Sequence, residues 1–378
     1  MKDKKNILFI LPQLYPCVTG GIEIFHYYFV QYLSRFYQIQ IITTCDKVNF
    51  NNNTIRVFTY KRKWNSSTLS KNVFILRYVL KKYKKIDLIH LPYSSKSLIQ
   101  DYIFILIKKI FKIPYILRIH GGRMALGKPH FMHQMLFDNA AGIVAVSSPI
   151  KQEYEKRHGR KIKLIPSMLP FNKTILSKQQ LKQKYNVKEN SLVVLYLGSI
   201  KEIKGPNILL SAIKKLDRWF LKQHNITFLF AGDGPLRSEL EAEVKVNNLT
   251  NHVIFLGNIP HENVCELYRL ADIFVIPSFF EARPLALSEA LYNGCPAIGS
   301  NISTISNLIQ DGKNGFIFKK GDSNDLAQKL KKLLNNPDML EKFTINAEKS
   351  YKYNYDKMIH QYCSFYDEIL CKSNVSYN

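Results

Sequence analysis

Short runs rich in Val, Ile, Leu, Phe and Tyr recur along the whole chain, with segments of helical length between them. In the first half they fall at residues 7–11, 39–43, 54–60, 86–90, 115–119, 142–147 and 163–166. In the second half they fall at 192–197, 227–231, 253–256, 273–277, 296–299 and 315–318. Most are apolar throughout, without the polar alternation of a half-exposed sheet, as expected for parallel strands covered on both faces. Strands alternating with helices predict a doubly wound α/β chain with two Rossmann-like domains, each with its own sheet. The expected join is Pro166-Ser167-Met168-Leu169-Pro170 and the polar segment that follows it through Asn190, because two close prolines discourage regular structure. Residues 355–370 read as an aromatic-rich helix with no strand after it.

With 378 residues, 46% hydrophobic and 22% charged, the chain can bury two cores, which excludes a disordered or fibrous protein. The longest apolar run, Tyr102 to Ile107, ends at Lys108 and Lys109, far short of the ~20 residues of a membrane span. Met1-Lys2-Asp3-Lys4-Lys5 leads into a short apolar stretch and Pro12 with no small-residue cleavage site, so a cytosolic location is expected. Cys17, Cys45, Cys265, Cys295, Cys363 and Cys371 form no C-x-x-C pair, and reduced thiols are expected, with neither a disulfide framework nor a zinc site.

Charge is uneven. Residues 1–170 hold 28 Lys and Arg against 8 Asp and Glu, or +20, and the remainder 26 against 21, or +5. Eleven basic residues and no acidic one lie between Asp46 and Asp87, densest at Lys61-Arg62-Lys63-Trp64 and Lys81-Lys82-Tyr83-Lys84-Lys85. A solvated surface is one reading, and an anionic partner of the first half is the other. Basic clusters interleaved with Trp64, Phe74, Tyr78 and Tyr83 suit the interfacial zone of an anionic membrane. Residues 56–85 and 101–112 form the candidate interface, although Tyr102–Leu106 reads equally as a buried helix, the alternative we favour.

Ligands of doubly wound domains sit at the C-terminal ends of strands, here in a cleft between the domains. Cys17-Val18-Thr19-Gly20-Gly21-Ile22-Glu23 follows the first strand, and paired glycines before a helix leave amides ready for an anion. Alone it is an ordinary tight turn. The strongest feature is the stretch Pro277 to Leu291, with Glu281 in a loop and Glu289 within a helix for which Pro284 suits the first position. Two carboxylates then edge one pocket, with the amides of Leu285 and Ala286 between them. Carboxylates accept sugar hydroxyls and helix-end amides receive phosphate oxygens, so the arrangement suits a nucleotide-sugar. An E-x7-E pair also occurs by chance, but here it has company. Gly198-Ser199-Ile200-Lys201-Glu202-Ile203-Lys204-Gly205 follows the first strand of the second half, and Ala231-Gly232-Asp233-Gly234-Pro235 the next. Leu256-Gly257-Asn258 follows the third, and Asn293-Gly294-Cys295-Pro296 closes the E-x7-E helix.

In the order and spacing of these motifs the chain resembles glycosyltransferase family 4, retaining enzymes of the GT-B fold. The resemblance implies an N-terminal acceptor-side domain at 1–170, a linker at 171–190, a nucleotide-sugar-binding domain at 191–354 and a C-terminal helix at 355–378 that packs back on the first domain. It implies that Gly20 and Gly21 approach the donor phosphates, Lys204 binds the diphosphate, Glu281 the sugar hydroxyls and Glu289 the ribose. His120, in Leu117-Arg118-Ile119-His120-Gly121-Gly122, matches the family's active-site histidine, against the alternative of a core or capping residue. Gly232, Leu256, Leu285 and Ala286 complete the implied donor site. Two departures stand out. Ser199 occupies a place where the family often has a phosphate-binding arginine, leaving Lys201 or Arg283 as substitutes. Ala282-Arg283-Pro284 replaces a common Gly-Phe-Gly, so the sugar is not readable from the family.

The expected reaction moves a hexose-type sugar to a glycan or polyprenyl-linked acceptor in cell-surface polysaccharide or glycolipid synthesis, at the inner face of the membrane. An oxocarbenium-like transition state with charge growing on the leaving diphosphate is suited to Lys204 and helix-end amides. No D-x-D pair occurs, so neither metal nor other cofactor is expected. The rivals are a nucleotide-sugar epimerase of the same plan and a basic nucleic-acid-binding protein, which leaves Lys204, Glu281 and Glu289 unexplained and shows no nucleic-acid motif. A dinucleotide oxidoreductase is weaker, since no G-x-G-x-x-G follows either first strand.

Overall fold

The computed structural model describes residues 4–50, 52–60, 68–93, 98–121, 130–170, 174–350 and 354–375. Lys61-Arg62-Lys63-Trp64 and Gly122 lie outside the described residues. The chain forms two compact units, one of residues Met1–Pro170 with Asn354–Asn378, the other of Phe171–Tyr353.

The first unit runs β1 (Asn6–Ile10), α1 (Gly21–Leu33), β2 (Gln38–Thr43), β3 (Ile55–Thr59), α2 (Thr68–Lys82), β4 (Leu88–Tyr93), α3 (Leu98–Phe111), β5 (Tyr115–Ile119), α4 (Phe131–Asn139), β6 (Gly142–Ala145), α5 (Ser148–His158) and β7 (Lys163–Leu164). The second runs α6 (Lys178–Lys184), β8 (Leu192–Leu197), α7 (Pro206–Lys215), α8 (Arg218–Gln223), β9 (Ile226–Ala231), α9 (Arg237–Val246), β10 (Val253–Gly257), α10 (Val264–Leu270), β11 (Ile273–Ile276), α11 (Leu285–Tyr292), β12 (Ala297–Ser300), α12 (Ser303–Ser306), β13 (Gly315–Phe318), α13 (Ser323–Leu334) and α14 (Pro337–Ser350). α15 (Tyr355–Val375) returns to the first unit.

Each unit holds one sheet with all strand pairs parallel, in the orders β3-β2-β1-β4-β5-β6-β7 and β10-β9-β8-β11-β12-β13. All thirteen apolar runs became strands. β5, β9 and β11 are buried at every position, which is why they carry no polar alternation. The largest shift is β4, expected at 86–90. It continues to Tyr93 because Pro92, though lacking an N–H, still pairs in register with Arg118. Helices cover both faces with apolar stripes at three- and four-residue spacing, as in α13, where Leu326, Leu330, Leu333 and Leu334 are buried and Asp322 caps the start.

α15 shows the same stripe: Met358, Ile359, Tyr362, Phe365, Tyr366 and Ile369 are buried against the first unit. Tyr362 meets Phe29 of α1 with ring centroids 4.6 Å apart. Gly142 is required beneath the helix, because a Cβ there would come within 2.4 Å of the Phe365 ring.

Three expectations change. Cys17 and Cys45 form a disulfide, against the reading of six reduced thiols. β1 and β2 are adjacent and parallel, with Ile10 opposite Ile42, so the turns that follow them leave the same edge side by side. Second, the segment taken as a linker contains α6, whose Leu181 is fully buried in the second unit's core and whose Ser177 supplies a capping box. Third, the run in α3 is divided: Phe104, Ile105 and Ile107 are buried, whereas Ile99, Tyr102 and Ile110 are exposed.

Candidate active site

In the second unit the strand order reverses between β8 and β11, the place where doubly wound sheets open a crevice at their C-terminal edge. The two loops that leave these strands carry Lys204 and Glu281. The Phe279 N–H donates to the Ile203 carbonyl at 2.9 Å, tying one loop to the other. Gly205 makes the approach possible: its φ is +66°, and a Cβ there would stand 2.2 Å from the Pro277 carbonyl oxygen. Pro206 then opens α7 at a position that needs no N–H.

Lys204 Nζ donates to Glu281 Oε1 at 2.7 Å, and Ser278 Oγ donates to the same oxygen at 2.9 Å. The Glu281 backbone is held as well, its carbonyl accepting from Thr304 Oγ1 at 2.9 Å. A cation and a carboxylate that are both largely withdrawn from water keep most of their mutual attraction. The carboxylate also keeps free acceptor capacity on Oε2, and the ammonium can rotate its two remaining N–H bonds toward a phosphate.

Glu289 is buried on α11. Its Oε2 accepts from Tyr268 OH at 3.0 Å and its Oε1 lies 3.1 Å from His261 Nε2. Burial, with the Glu289 charge beside it, pushes the Tyr268 phenol well above its usual range, so Tyr268 stays a donor. Pro284 precedes the helix and does not open it, and Leu285 already donates its N–H to the Arg283 carbonyl at 2.9 Å. Of the two amides expected to meet phosphate, one is therefore engaged in closing the turn. Gly232 lies against the Gly198 carbonyl, where a Cβ would collide at 2.0 Å. Leu256 packs in the apolar cluster beneath the edge. Ser199 and Lys201 are exposed, and Arg283 is half-buried.

In the first unit the Glu23 carboxylate folds over Gly20 at the start of α1, close enough that a Cβ there would lie 2.2 Å from its Oε2. That carboxylate satisfies the same positive helix end that the sequence offers to a donor phosphate. Gly21 is the first residue of α1 and is exposed. His120 follows β5 and is buried. Arg118 Nη1 reaches its Nε2 at 3.1 Å, and the His26 ring lies 4.9 Å away between centroids. Burial, and then the charge of Arg118, hold the His120 imidazole well below its usual range.

Sequence reading missed Tyr268, His261, Arg118 and Tyr362. Tyr268 and His261 lie outside any loop motif, and only the fold brings them to Glu289. Arg118 sits two residues before His120, and that alternation on one strand was the available signal.

Two doubly wound parallel units in one chain, the second reversing its strand order between β8 and β11, are the plan of the GT-B fold. Residues 19–169 match the family model for Glycosyltransferase Family 4, and residues 177–350 that for Glycosyl transferases group 1. The chain belongs to glycosyltransferase family 4. It is 25% identical to an uncharacterized glycosyltransferase of Methanocaldococcus jannaschii, over 95% of this chain and 98% of that one. It is 32% identical, over 64% of each chain, to a Campylobacter jejuni α-1,4-N-acetyl-D-galactosaminyltransferase named for the acceptor GalNAc-alpha-(1->4)-GalNAc-alpha-(1->3)-diNAcBac-PP-undecaprenol. Its fold is similar to that of Anabaena Alr3699/HepE in complex with UDP and glucose, with a TM-score of 0.76, 18% identity, and 96% and 99% of the two chains covered.

Proposed function

We propose that the protein is a retaining glycosyltransferase that moves a hexose-type sugar from a nucleoside diphosphate sugar to a glycan or polyprenyl-linked acceptor in cell-surface polysaccharide or glycolipid assembly. The observation that carries this reading is the Lys204–Glu281–Ser278 group at the switch crevice of the second sheet. An arriving donor exchanges the internal ion pair for one external ion pair and charged hydrogen bonds: Lys204 turns to the diphosphate, and Glu281 accepts from hydroxyls of the sugar. Charge that grows on the leaving diphosphate is then met by a cation already in place, the arrangement that lowers a barrier most. Glu289, oriented by Tyr268 and His261, takes the ribose. The leaving phosphate removes the acceptor proton on the same face, so the anomeric configuration is retained. No step calls for a divalent ion, and turnover is expected to survive a chelator.

The C. jejuni relative is named for a polyprenyl-linked acceptor, which supports that class here. Contact with an anionic leaflet at the inner face of the membrane is supported by the exposed Ile99, Tyr102 and Ile110 of α3 beside Lys109 and Lys112.

A thermal-shift screen of UDP-, GDP-, ADP- and CMP-sugars tests the donor. One class should raise the melting temperature in a concentration-dependent way, and Lys204→Ala should abolish that shift. No stabilisation by any of the four would end the reading. Sedimentation with vesicles of anionic lipid at low salt tests the membrane claim separately.

A further inference from the structure

Arginine has donors only. The Arg118 side chain is fully buried and directs three of them: Nε to Tyr362 OH at 2.7 Å, Nη2 to Ser167 Oγ at 2.8 Å and Nη1 to His120 Nε2 at 3.1 Å. Its guanidinium lies over the Phe25 ring, 3.7 Å from the centroid. Among the described residues no carboxylate forms an ion pair with it. A buried cation without a counterion costs more than any gain in packing, and side chains held at that cost commonly serve a function.

Since Nη1 can only donate, Nε2 of His120 must accept, and the proton of the neutral ring is left on Nδ1. We infer that Arg118, clamped by Tyr362 of α15 and by Ser167, is a positioning residue that fixes His120 as its Nδ1–H tautomer. His120 then meets a ligand as a hydrogen-bond donor and not as a base. The inference rests on the proposed transferase reading only for which ligand that is: a sugar hydroxyl or a phosphate oxygen, both acceptors.

The surroundings favour the neutral ring from every side. Arg118 faces it from β5, His26 from α1 and His90 from β4, while α15 contributes the phenols Tyr362 and Tyr366. His26 Nδ1–H donates to the Ile22 carbonyl at 2.9 Å, and the Tyr366 hydroxyl lies 2.6 Å from His90 Nδ1, so those two rings are anchored independently of His120. None of these groups is a carboxylate that would draw a second proton onto the ring.

The test is nitrogen NMR on the full chain labelled with 15N-histidine, with His120→Gln used to assign the resonance. Between pH 8 and 6 we expect one ring nitrogen with a proton, Nδ1, and one without, Nε2. An Nε2–H ring, or an imidazolium with protons on both, overturns the inference. In Arg118→Met the fixed form should give way to a mixture of tautomers, and an unchanged spectrum in that folded variant also overturns it. Should Arg118→Met not fold, Tyr362→Phe keeps the ring packing, removes the acceptor that holds Nε, and should show the same loosening. These spectra need no donor. A chain inactive toward every nucleotide-sugar but with Nδ1–H at His120 would remove the catalytic reading alone. An active enzyme with Nε2–H would remove this one alone.

Discussion

The two units share the order of six strands, to which the first adds β7, and differ in how they treat polar groups. In the second, two of the candidate site's side chains, Lys204 and Glu281, stand on loops at the strand ends and pair directly, opposite charges in partial contact with water. In the first, a fully buried arginine is surrounded by three histidines and two tyrosines, with no acid among them. Loop chemistry can be lost without touching the core, whereas the buried cluster is part of the core. If the proposed roles hold, the same scaffold separates function from stability in one half and merges them in the other.

The most drastic way to break this contrast is a stop codon after Tyr353. It removes the stripe that covers β6, α1 and Arg118. The first unit should then lose amide protection throughout in hydrogen exchange read by mass spectrometry, while the second keeps its pattern. Protection retained in both would mean α15 is an accessory. Next in size, Lys204→Ala and Glu281→Gln should each lower turnover by about 10²–10³-fold. If the two side chains act on one bound donor, the double variant should lose little more than either single one.

Reduction of the Cys17–Cys45 bridge, or Cys45→Ser, should destabilise the first unit by about 2–4 kcal/mol and leave exchange in the second unchanged. The acid response comes next. Burial lowers His26, His90 and His120 well below the usual imidazole range and brings His158 to about 4. As pH falls from 6.5 toward 4 the unfolded chain binds these protons first, so stability is complete above 6.5 and is lost through that window. Asp101, pushed up to about 6 by burial against the pull of His133, acts in the opposite sense, since its folded form takes the proton first. Four lowered histidines and the lowered Glu155, set against the raised Asp101 and Glu153, should leave net acid destabilisation in the first unit, measurable as earlier exchange there than in the second. The smallest effect should come from Glu289→Gln, which keeps the packing and weakens donor affinity about tenfold, one charged hydrogen bond. Unchanged affinity would detach Glu289 from the ribose.

The strands were readable because a parallel sheet buried on both faces leaves short uninterrupted apolar runs bounded by turn residues, although helix α3 carries such a run too, at Tyr102–Ile107. Glu281 and Lys204 were readable for a related reason: each lies in a loop directly after such a run. What stayed hidden depends on which elements become neighbours. Cys17 and Cys45 meet only because β1 and β2 adjoin, and Tyr268 reaches Glu289 only because α10 packs on α11. Arg118 and Tyr362 are 244 residues apart, and a lone arginine in an apolar strand gives no hint that a tyrosine near the far end will accept its hydrogen bond.

That last separation bears on how the protein is made. A ribosome releases the second unit whole before it has supplied the last helix of the first, so the half synthesised earliest is the half completed last. Until Tyr362 emerges, Arg118 has lost a principal acceptor and the surface around Gly142 has no cover. During translation the amino-terminal half is then an unfinished, strongly cationic body, open to chaperones for as long as some two hundred further codons take to read.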